Sequence, residues 1–176
     1  MSIIITTFLL LALNFNTDMK SIHDYKIQQL NSKEVIDFSD FKGKKILIVN
    51  VASRCGYTPQ YQQLEELCEN YKNELVIVGF PCDQFGGQEL DSEDAIEEFC
   101  TSKFSVSFPM TTIIDVKGER QHPIYTFLTS KSLNGKDDYK IKWNFNKFLL
   151  DENGNVLEYF PSSVTPLDDK ILKYLD

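Results

Sequence analysis

Cysteine chemistry is the first possibility that the residue types of this chain raise. A cysteine reacts as its thiolate, and an ordinary thiol pKa of about 8.5 means that a nucleophilic cysteine needs surroundings that stabilise the anion. None of the four cysteines belongs to a C-x-x-C pair and only two histidines are present, so no zinc or other metal site is predicted. The residues in question are Cys55, Cys68, Cys82 and Cys100, with His23 and His122.

Cys55 has the most favourable position of the four cysteines. It lies between an apolar, β-branched run at residues 45–52 and the pair Thr58-Pro59, which predicts a helix start with Thr58 as the N-cap. The N–H groups and the positive dipole end at a helix N-terminus favour an anion, and ligands of open α/β sheets bind beyond the carboxyl ends of the strands. A small buried hydrophobe is the commonest fate of a free cysteine, and position alone leaves both interpretations open.

Apolar runs predict the strands that would hold this cysteine in place. Residues 45–52 and 75–80 have the character of buried strands, and residues 111–115 predict a third strand. Near the C-terminus, an Asn-Gly pair at residues 153–154 separates the apolar runs 147–150 and 155–160. Such a pair between two apolar runs is a strong signal for a β-hairpin.

Helices are predicted between and after these strands. The first helix carries Cys68 on its apolar stripe, so we interpret Cys68 as a packing residue, and the second has Cys100 on its apolar side. Helix-start signals lie at Thr58-Pro59, at Asp91 or Ser92, at Pro123 and at Thr165-Pro166. Together the elements predict an α/β fold with a central mixed β-sheet, mainly parallel with an antiparallel hairpin, flanked by helices.

Composition restricts the classes of function. A hydrophobic content of 42% in 176 residues is enough for one core, and we predict a single domain over residues 19–176. The net charge of −8 disfavours nucleic acid and anionic membrane surfaces as partners, because a basic surface is missing.

The N-terminal residues 1–18 are set apart from this domain by an apolar run at residues 3–13. The run is too short to span a bilayer and has the length of the hydrophobic part of a secretory signal. No Lys or Arg precedes it, however, and Met19 offers an alternative start of translation. An exported, periplasmic or secreted protein and a cytoplasmic protein that starts at Met19 both remain open, with no integral span expected in the mature domain.

Three segments carry a family resemblance. Residues 50–61, NVASRCGYTPQY, resemble the active-site signature of glutathione peroxidases. Residues 79–89, GFPCDQFGGQE, and residues 142–149, KWNFNKFL, resemble the second and third signatures of that family, and all three occur in the family's order. The similarity extends from about Asp24 to the C-terminus. Asp83 and Leu90 depart from the pattern, which usually has Asn and Pro at these positions, and we expect the Asp83 carboxylate to point away from the site.

The resemblance implies a thioredoxin-like fold and the reduction of hydrogen peroxide and of organic or lipid hydroperoxides. It implies that Cys55 is the catalytic nucleophile, at the position that holds cysteine or selenocysteine in the family. It also implies that Gln88, Trp143 and Asn144 support catalysis as N–H donors to the sulfur or to the peroxide oxygen. From the residues alone, Trp143 could be a core aromatic and Gln88 an ordinary loop residue.

The resemblance further implies how the oxidised cysteine is reduced. Cys100 matches the resolving cysteine of the thioredoxin-dependent branch of the family, in which an intramolecular disulfide follows the sulfenic acid. Because Cys100 lies on an apolar helix face, it could instead be core, and a bridge to Cys55 would need local opening of the helix. Cys82 matches no resolving position and is interpreted as structural.

The expected reducing substrate is thioredoxin, with glutathione as the less favoured alternative, and no bound cofactor is expected. Gln60 stands where glutathione-using members tend to carry Arg, and residues 130–141 lack the longer loop that builds their tetramers, so a monomer is expected. Two other functions stay open: a peroxide sensor that relays oxidation to a partner protein, and a non-catalytic thioredoxin-like binding module.

Overall fold

Residues 20–175 form six β-strands and five α-helices. The structure is a computed structural model that describes residues 20–175. The predicted leader and the alternative start at Met19 lie outside that range. The strands are β1 (Lys26–Gln28), β2 (Val35–Asp37), β3 (Lys45–Val51), β4 (Leu75–Pro81), β5 (Lys147–Leu150) and β6 (Val156–Phe160). The helices are α1 (Gln60–Asn70), α2 (Glu93–Phe104), α3 (Pro123–Thr129), α4 (Lys131–Asn134) and α5 (Asp169–Leu172).

The central sheet has four strands in the order β4-β3-β5-β6, and β1 and β2 form a separate pair. Strands β3 and β4 are parallel, whereas β5 is antiparallel to both β3 and β6. The predicted mixed sheet is therefore confirmed, but the prediction that it is mainly parallel is wrong. Two of its three strand pairs are antiparallel, because the C-terminal hairpin pairs directly with β3.

Strand β3 is buried on both faces and divides the core into two layers. Leu47, Val49 and Val51 point into one layer and Ile46 and Ile48 into the other, as expected from the two-residue period of a strand. The first layer also contains the apolar faces of α1, α2 and α5, and the second contains that of α3. The alternating side chains of β3 therefore pack with α1, α2 and α5 on one face of the sheet and with α3 on the other.

The predicted C-terminal hairpin is present as β5 and β6. The carboxylate of Asp151 accepts N–H bonds from Asn153 at 3.0 Å and from Asn155 at 2.8 Å, which closes the turn. Gly154 has a φ of +81°, and a Cβ at this position would come within 2.9 Å of Ile22 Cγ2. Only glycine combines this backbone conformation with such a close approach.

The third predicted strand, over residues 111–115, is not present. The chain forms only isolated bridges there, between Gly79 and Met110 and between Gln29 and Thr111. Its backbone groups bond to several different segments, since Thr112 donates to Gln28 and Ile114 to Pro81. The strand prediction is therefore wrong, because apolar, β-branched composition does not show whether one neighbouring strand pairs along the whole segment.

Two predicted helix starts are displaced. Helix α1 begins at Gln60, after Pro59, because the Thr58 side chain bonds to the preceding loop instead of capping the helix. Helix α5 begins at Asp169 with Asp168 as its N-cap, and the Thr165-Pro166 pair forms a turn before it.

The other two helix-start predictions are confirmed. Ser92 caps α2 by accepting the Ala95 N–H at 3.3 Å, and α3 begins at Pro123. Within residues 20–175, no helix combines the length and the apolar character that a bilayer span requires.

Candidate active site

Cys55 lies in a tight turn between the end of β3 and the start of α1. The Cys55 N–H donates to Thr58 Oγ1 at 2.9 Å, and the Thr58 hydroxyl donates to the Ala52 carbonyl at 2.8 Å. The sulfur itself accepts the N–H of Tyr57 at 3.4 Å. This N–H donor belongs to the turn before α1, whereas the sequence predicted donors at the helix N-terminus itself. The Cys55 residue is only 7% exposed, so little water competes for that interaction.

The loop after β4 holds this turn from the other side. The Gln88 carbonyl accepts the Arg54 N–H at 2.8 Å, and a Glu89 carboxylate oxygen accepts the Ser53 N–H at 3.0 Å. The Asp83 side chain is engaged within its own loop, where it accepts the Glu89 N–H at 3.0 Å. Two loops that follow adjacent parallel strands are thereby fixed to each other just before Cys55.

Gln88 and Asn144, predicted as supporting residues, are in direct contact. Asn144 Nδ2 donates to Gln88 Oε1 at 3.1 Å, and Asn144 is fully buried whereas Gln88 is half-buried. Since the amide oxygen of Gln88 is the acceptor in this bond, its Nε2 group lies on the opposite side of the amide as a donor. The contact therefore fixes the orientation of the Gln88 side chain.

Trp143, the fourth predicted residue, lies at the surface of this region. Trp143 is 39% exposed, and its ring contacts the buried ring of Phe85 at a centroid separation of 5.9 Å. The sequence alternative of a core aromatic is therefore not what the structure shows. The Trp143 carbonyl accepts N–H bonds from Asn50 at 3.0 Å and from Asn146 at 2.8 Å, so the backbone of the residue is fixed although its indole is exposed.

Asn50 was not singled out from the sequence, although it is the polar residue within the apolar run of β3. Its backbone oxygen accepts the Phe145 N–H at 2.5 Å, and its side-chain oxygen accepts the Asn146 N–H at 3.0 Å. Phe145 has a φ of +61°, a conformation that non-glycine residues rarely adopt. Asn50 therefore joins the strand that ends at the Cys55 turn to the strained turn that carries Trp143 and Asn144.

Lys147 was also missed, although a charged residue at the start of a buried strand is a visible signal. The side chain is fully buried, and its Nζ donates to Gln60 Oε1 at 2.7 Å, to Phe145 O at 2.8 Å and to Val164 O at 2.9 Å. Gln60 is the first residue of α1. One ammonium group thus connects the start of α1, the turn after Asn144 and the segment before α5.

We expect Lys147→Met to lower the free energy of unfolding by about 3 kcal/mol at pH 7. The variant leaves buried oxygens without a donor at about 1–3 kcal/mol each, partly offset by the removal of a buried charge. Burial lowers the pKa of Lys147 to about 7, whereas an exposed lysine in the unfolded chain titrates at about 10.4. Above about pH 7 the unfolded chain therefore holds a proton that the folded protein lacks, and the stability of the unsubstituted protein rises with pH.

The deficit of the Lys147→Met variant should consequently grow between pH 7 and pH 9 and stay constant below pH 7. Urea denaturation of both proteins at pH 6, 7.5 and 9 measures it. Lys44→Met is the matched control, since the Lys44 side chain donates to the Lys72 carbonyl at the surface, and its effect should stay within about 0.5 kcal/mol. A deficit that shrinks as the pH rises would contradict the lowered pKa of the buried Lys147 side chain.

The remaining cysteines differ from Cys55 in their surroundings, and all four are free thiols. Cys100 is 2% exposed in the same core layer as Cys55, and burial raises the pKa of its thiol to about 11. Cys82 is fully buried in the opposite layer, and burial likewise raises its thiol pKa to about 11. Cys68 packs against the core while partly exposed, as predicted for a packing residue.

The fold and the position of the cysteine turn define a thioredoxin-like protein. A thiol:disulfide interchange protein of the thioredoxin family from Chlorobium tepidum aligns with a TM-score of 0.61 at 14% identity, covering 86% of this chain and 92% of that chain. T. cruzi GPX1 aligns with a TM-score of 0.68 at 34% identity, covering 89% and 94%. The predicted thioredoxin-like fold is therefore confirmed.

Sequence comparison identifies the family within this fold. Residues 22–129 match the family model described as glutathione peroxidase. The glutathione peroxidase homolog BsaA of Staphylococcus epidermidis is 44% identical over 84% of this chain and 93% of its own length. The glutathione peroxidase-like peroxiredoxin HYR1 of Saccharomyces cerevisiae is 43% identical over 86% and 98%. The chain belongs to the glutathione peroxidase family and is a thiol peroxidase, so neither the sensor nor the binding module is favoured.

Proposed function

We propose that Cys55 is the sulfur that reduces the hydroperoxide, with Gln88, Asn144 and Trp143 as the surrounding donors. The observation that carries the proposal is the N–H of Tyr57 directed at the Cys55 sulfur, at 3.4 Å. The Arg54 N–H of the same turn donates to the Gln88 carbonyl. Asn144 orients the side-chain amide of Gln88. Cys82 differs in that it is fully buried and burial raises its thiol pKa to about 11, and Cys68 packs against the core on α1.

The reaction follows from this arrangement. The Cys55 thiolate attacks one peroxide oxygen, the O–O bond breaks, and the sulfur becomes a sulfenic acid. The other oxygen leaves with developing negative charge and takes up a proton as water or an alcohol. Donors such as the Gln88 Nε2 group and the indole N–H of Trp143 stabilise that charge best when their positions are fixed before the reaction. The bond from Asn144 fixes the Gln88 amide, and the bonds to the Trp143 carbonyl fix the backbone of Trp143.

Cys100 is proposed as the resolving cysteine of the second half of the cycle. It is 2% exposed on α2, and because bridged Cα atoms lie only about 4.4–6.8 Å apart, the proposed cycle includes a local opening of α2 before the disulfide with Cys55 forms. Thioredoxin is proposed as the reductant, and no bound cofactor is needed. The name of the yeast relative HYR1, a peroxiredoxin, supports a disulfide route over glutathione.

A coupled NADPH assay tests the reductant. The protein is supplied with hydrogen peroxide and either thioredoxin with thioredoxin reductase or glutathione with glutathione reductase. We expect kcat/KM to be at least about tenfold higher with thioredoxin, because a dithiol reduces a protein disulfide through one mixed disulfide and an intramolecular release. Faster turnover with the glutathione system at physiological concentrations would contradict the proposed reductant.

A further inference from the structure

Asn50 is a fully buried polar residue between two valines of strand β3. Its backbone and side-chain groups are all bonded to one segment, residues 143–146. The backbone N–H donates to the Asn146 carbonyl at 3.3 Å, and the backbone oxygen accepts the Phe145 N–H at 2.5 Å. In the side chain, Oδ1 accepts the Asn146 N–H at 3.0 Å and Nδ2 donates to the Trp143 carbonyl at 3.0 Å. One residue of β3 therefore holds this segment at both of its ends.

The bonds of Asn50 enclose Asn144 on both sides. The Trp143 carbonyl belongs to the peptide group that precedes Asn144, and the Phe145 N–H belongs to the peptide group that follows it. Because both peptide groups are bonded to Asn50, the backbone of Asn144 cannot rotate without breaking at least one of these bonds. The direction of the Asn144 side chain, which donates to Gln88 Oε1 at 3.1 Å, is therefore set from Asn50.

Regular strand pairing would not hold the segment in this way. The register between β3 and β5 ends at the pair Val49–Lys147, one residue before Asn50, and Phe145 has a φ of +61° that no regular strand contains. The Asn50 side chain supplies two further bonds at this point. A buried amide costs stability unless it is paired, and an apolar side chain would pack here without that cost. The amide therefore indicates a role in the geometry of the turn.

We infer that Asn50 is a positioning residue of the peroxidase reaction, which sets the direction of the Asn144 side chain and, through it, the donor side of the Gln88 amide. The inference rests on the proposed function, in which Gln88 and Asn144 belong to the donors around Cys55. Such donors act only where they point at the developing charge, and a misplacement of about 1 Å costs about 100-fold in rate. A change in β3 should therefore slow the oxidation of Cys55 while both donors are still present.

Asn50→Asp tests the inference in the full chain with a side chain of nearly the same shape. The carboxylate can still accept the Asn146 N–H, but it cannot donate to the Trp143 carbonyl and repels it. The rate constant for oxidation of Cys55 by hydrogen peroxide is measured from the loss of its free thiol, by quenched alkylation and mass spectrometry. We expect this rate constant to fall by about tenfold or more at pH 8, while circular dichroism shows a folded chain.

The pH dependence of this variant links the loss of rate to the missing donor. A buried carboxyl has a raised pKa, and its protonated form carries one O–H donor and one acceptor, as the amide does. The rate constant of Asn50→Asp, divided by that of the unsubstituted protein, should recover to within about threefold of unity at pH 5.5. The ratio removes the titration of Cys55 and of Lys147, which both proteins share. Lys147 lies opposite Val49, so its side chain points to the other face of the sheet from that of Asn50.

Asn50→Ala is a second variant, which removes both side-chain bonds and cannot regain a donor. Its rate constant should fall by about tenfold or more at pH 8, and the ratio to the unsubstituted protein should stay low at pH 5.5. Asn134→Asp is the matched control. Asn134 is also buried, and its amide donates to two carbonyls and accepts two N–H groups within residues 128–137. The rate constant of this control should remain within about twofold at both pH values.

A double-mutant cycle tests whether Asn50 acts through Asn144, which a merely structural role would not produce. Asn144→Ala alone should slow the oxidation of Cys55 by about tenfold or more. Adding Asn50→Asp should slow it by less than about threefold further at pH 8, because the side chain that Asn50 directs is already absent. Independent effects would instead multiply.

The inference is overturned if the folded Asn50→Asp variant reacts at the unsubstituted rate, if its ratio does not recover at pH 5.5, or if the two substitutions multiply. It is also overturned if neither variant of Asn50 folds at either pH, because the residue would then serve stability. An Asn144→Ala variant that reacts at the unsubstituted rate would instead show that the donor assignment in the proposed function is wrong.

Discussion

Cys55→Ser is expected to abolish peroxide consumption, lowering kcat/KM by at least about 10³-fold with any reductant. A serine hydroxyl fits the same turn and can accept the Tyr57 N–H, so the fold should be unaffected. It does not ionise at neutral pH, however, and cannot form the sulfenic acid on which the reaction depends. Steady-state peroxide consumption by the purified variant, measured alongside its circular dichroism spectrum, gives the result.

Cys68→Ser serves as the control for this experiment. Cys68 is a free, partly exposed thiol on α1, so its replacement removes one sulfur without touching the Cys55 turn. Its kcat/KM should stay within about threefold of the unsubstituted protein. A Cys55→Ser variant that kept a tenth or more of the activity would show that another cysteine reacts with peroxide.

Cys100→Ser is expected to separate the two halves of the cycle. The variant should reduce about one equivalent of peroxide per chain in a rapid burst, because the Cys55 turn is intact. Its turnover with thioredoxin should then fall by at least about 100-fold, since no intramolecular disulfide can form for thioredoxin to reduce. A direct assay of peroxide consumption measures the burst amplitude, and an NADPH-coupled progress curve with thioredoxin measures the steady-state rate.

The Cys82→Ser variant provides the comparison for Cys100. Cys82 is as deeply buried as Cys100 and its thiol pKa is raised in the same way, but it lies in the core layer on the other side of the sheet. Thioredoxin-supported turnover should therefore persist in this variant. If Cys82→Ser stopped turnover while Cys100→Ser continued to cycle, the assignment of the resolving cysteine would have to be reversed.

The features that the sequence predicted correctly depend on neighbours along the chain. The hairpin follows from an Asn-Gly pair between two apolar runs, and the burial of Cys100 follows from its place on an amphipathic helix. The loop position of Cys55 follows from a strand that ends at Val51 and a helix that begins at Gln60. Each of these signals lies within about a dozen residues of the feature it predicts.

The features that the sequence did not predict depend on distant contacts. Residues 111–115 look like a strand, but whether they form one depends on the backbone groups of Gln28 and Pro81, which are far away in the sequence. Lys147 begins a buried strand because Gln60 and Val164 bring oxygens to it, and neither partner is near it in the chain. Glu89 is the last residue of the second signature, and its bond to the Ser53 N–H was not predicted.

The contact between Gln88 and Asn144 illustrates the same limit within the site. Family resemblance predicted both residues, but the chain gave no sign that one amide would bond to the other across 56 positions. The bond fixes which side of the Gln88 amide carries its donors. Composition and spacing predict that polar groups meet at the end of a sheet. The orientation of each side-chain amide depends on its contacts in the folded protein.

The most direct measurement treats the reduced protein with one equivalent of hydrogen peroxide in the presence of a sulfenic-acid trap, followed by peptide mapping. The trap should label Cys55, and without the trap the Cys55 and Cys100 peptides should be recovered as one disulfide-linked pair. Label on Cys68 or Cys82 with Cys55 recovered as an intact thiol would contradict the assignment of Cys55 as the reacting sulfur.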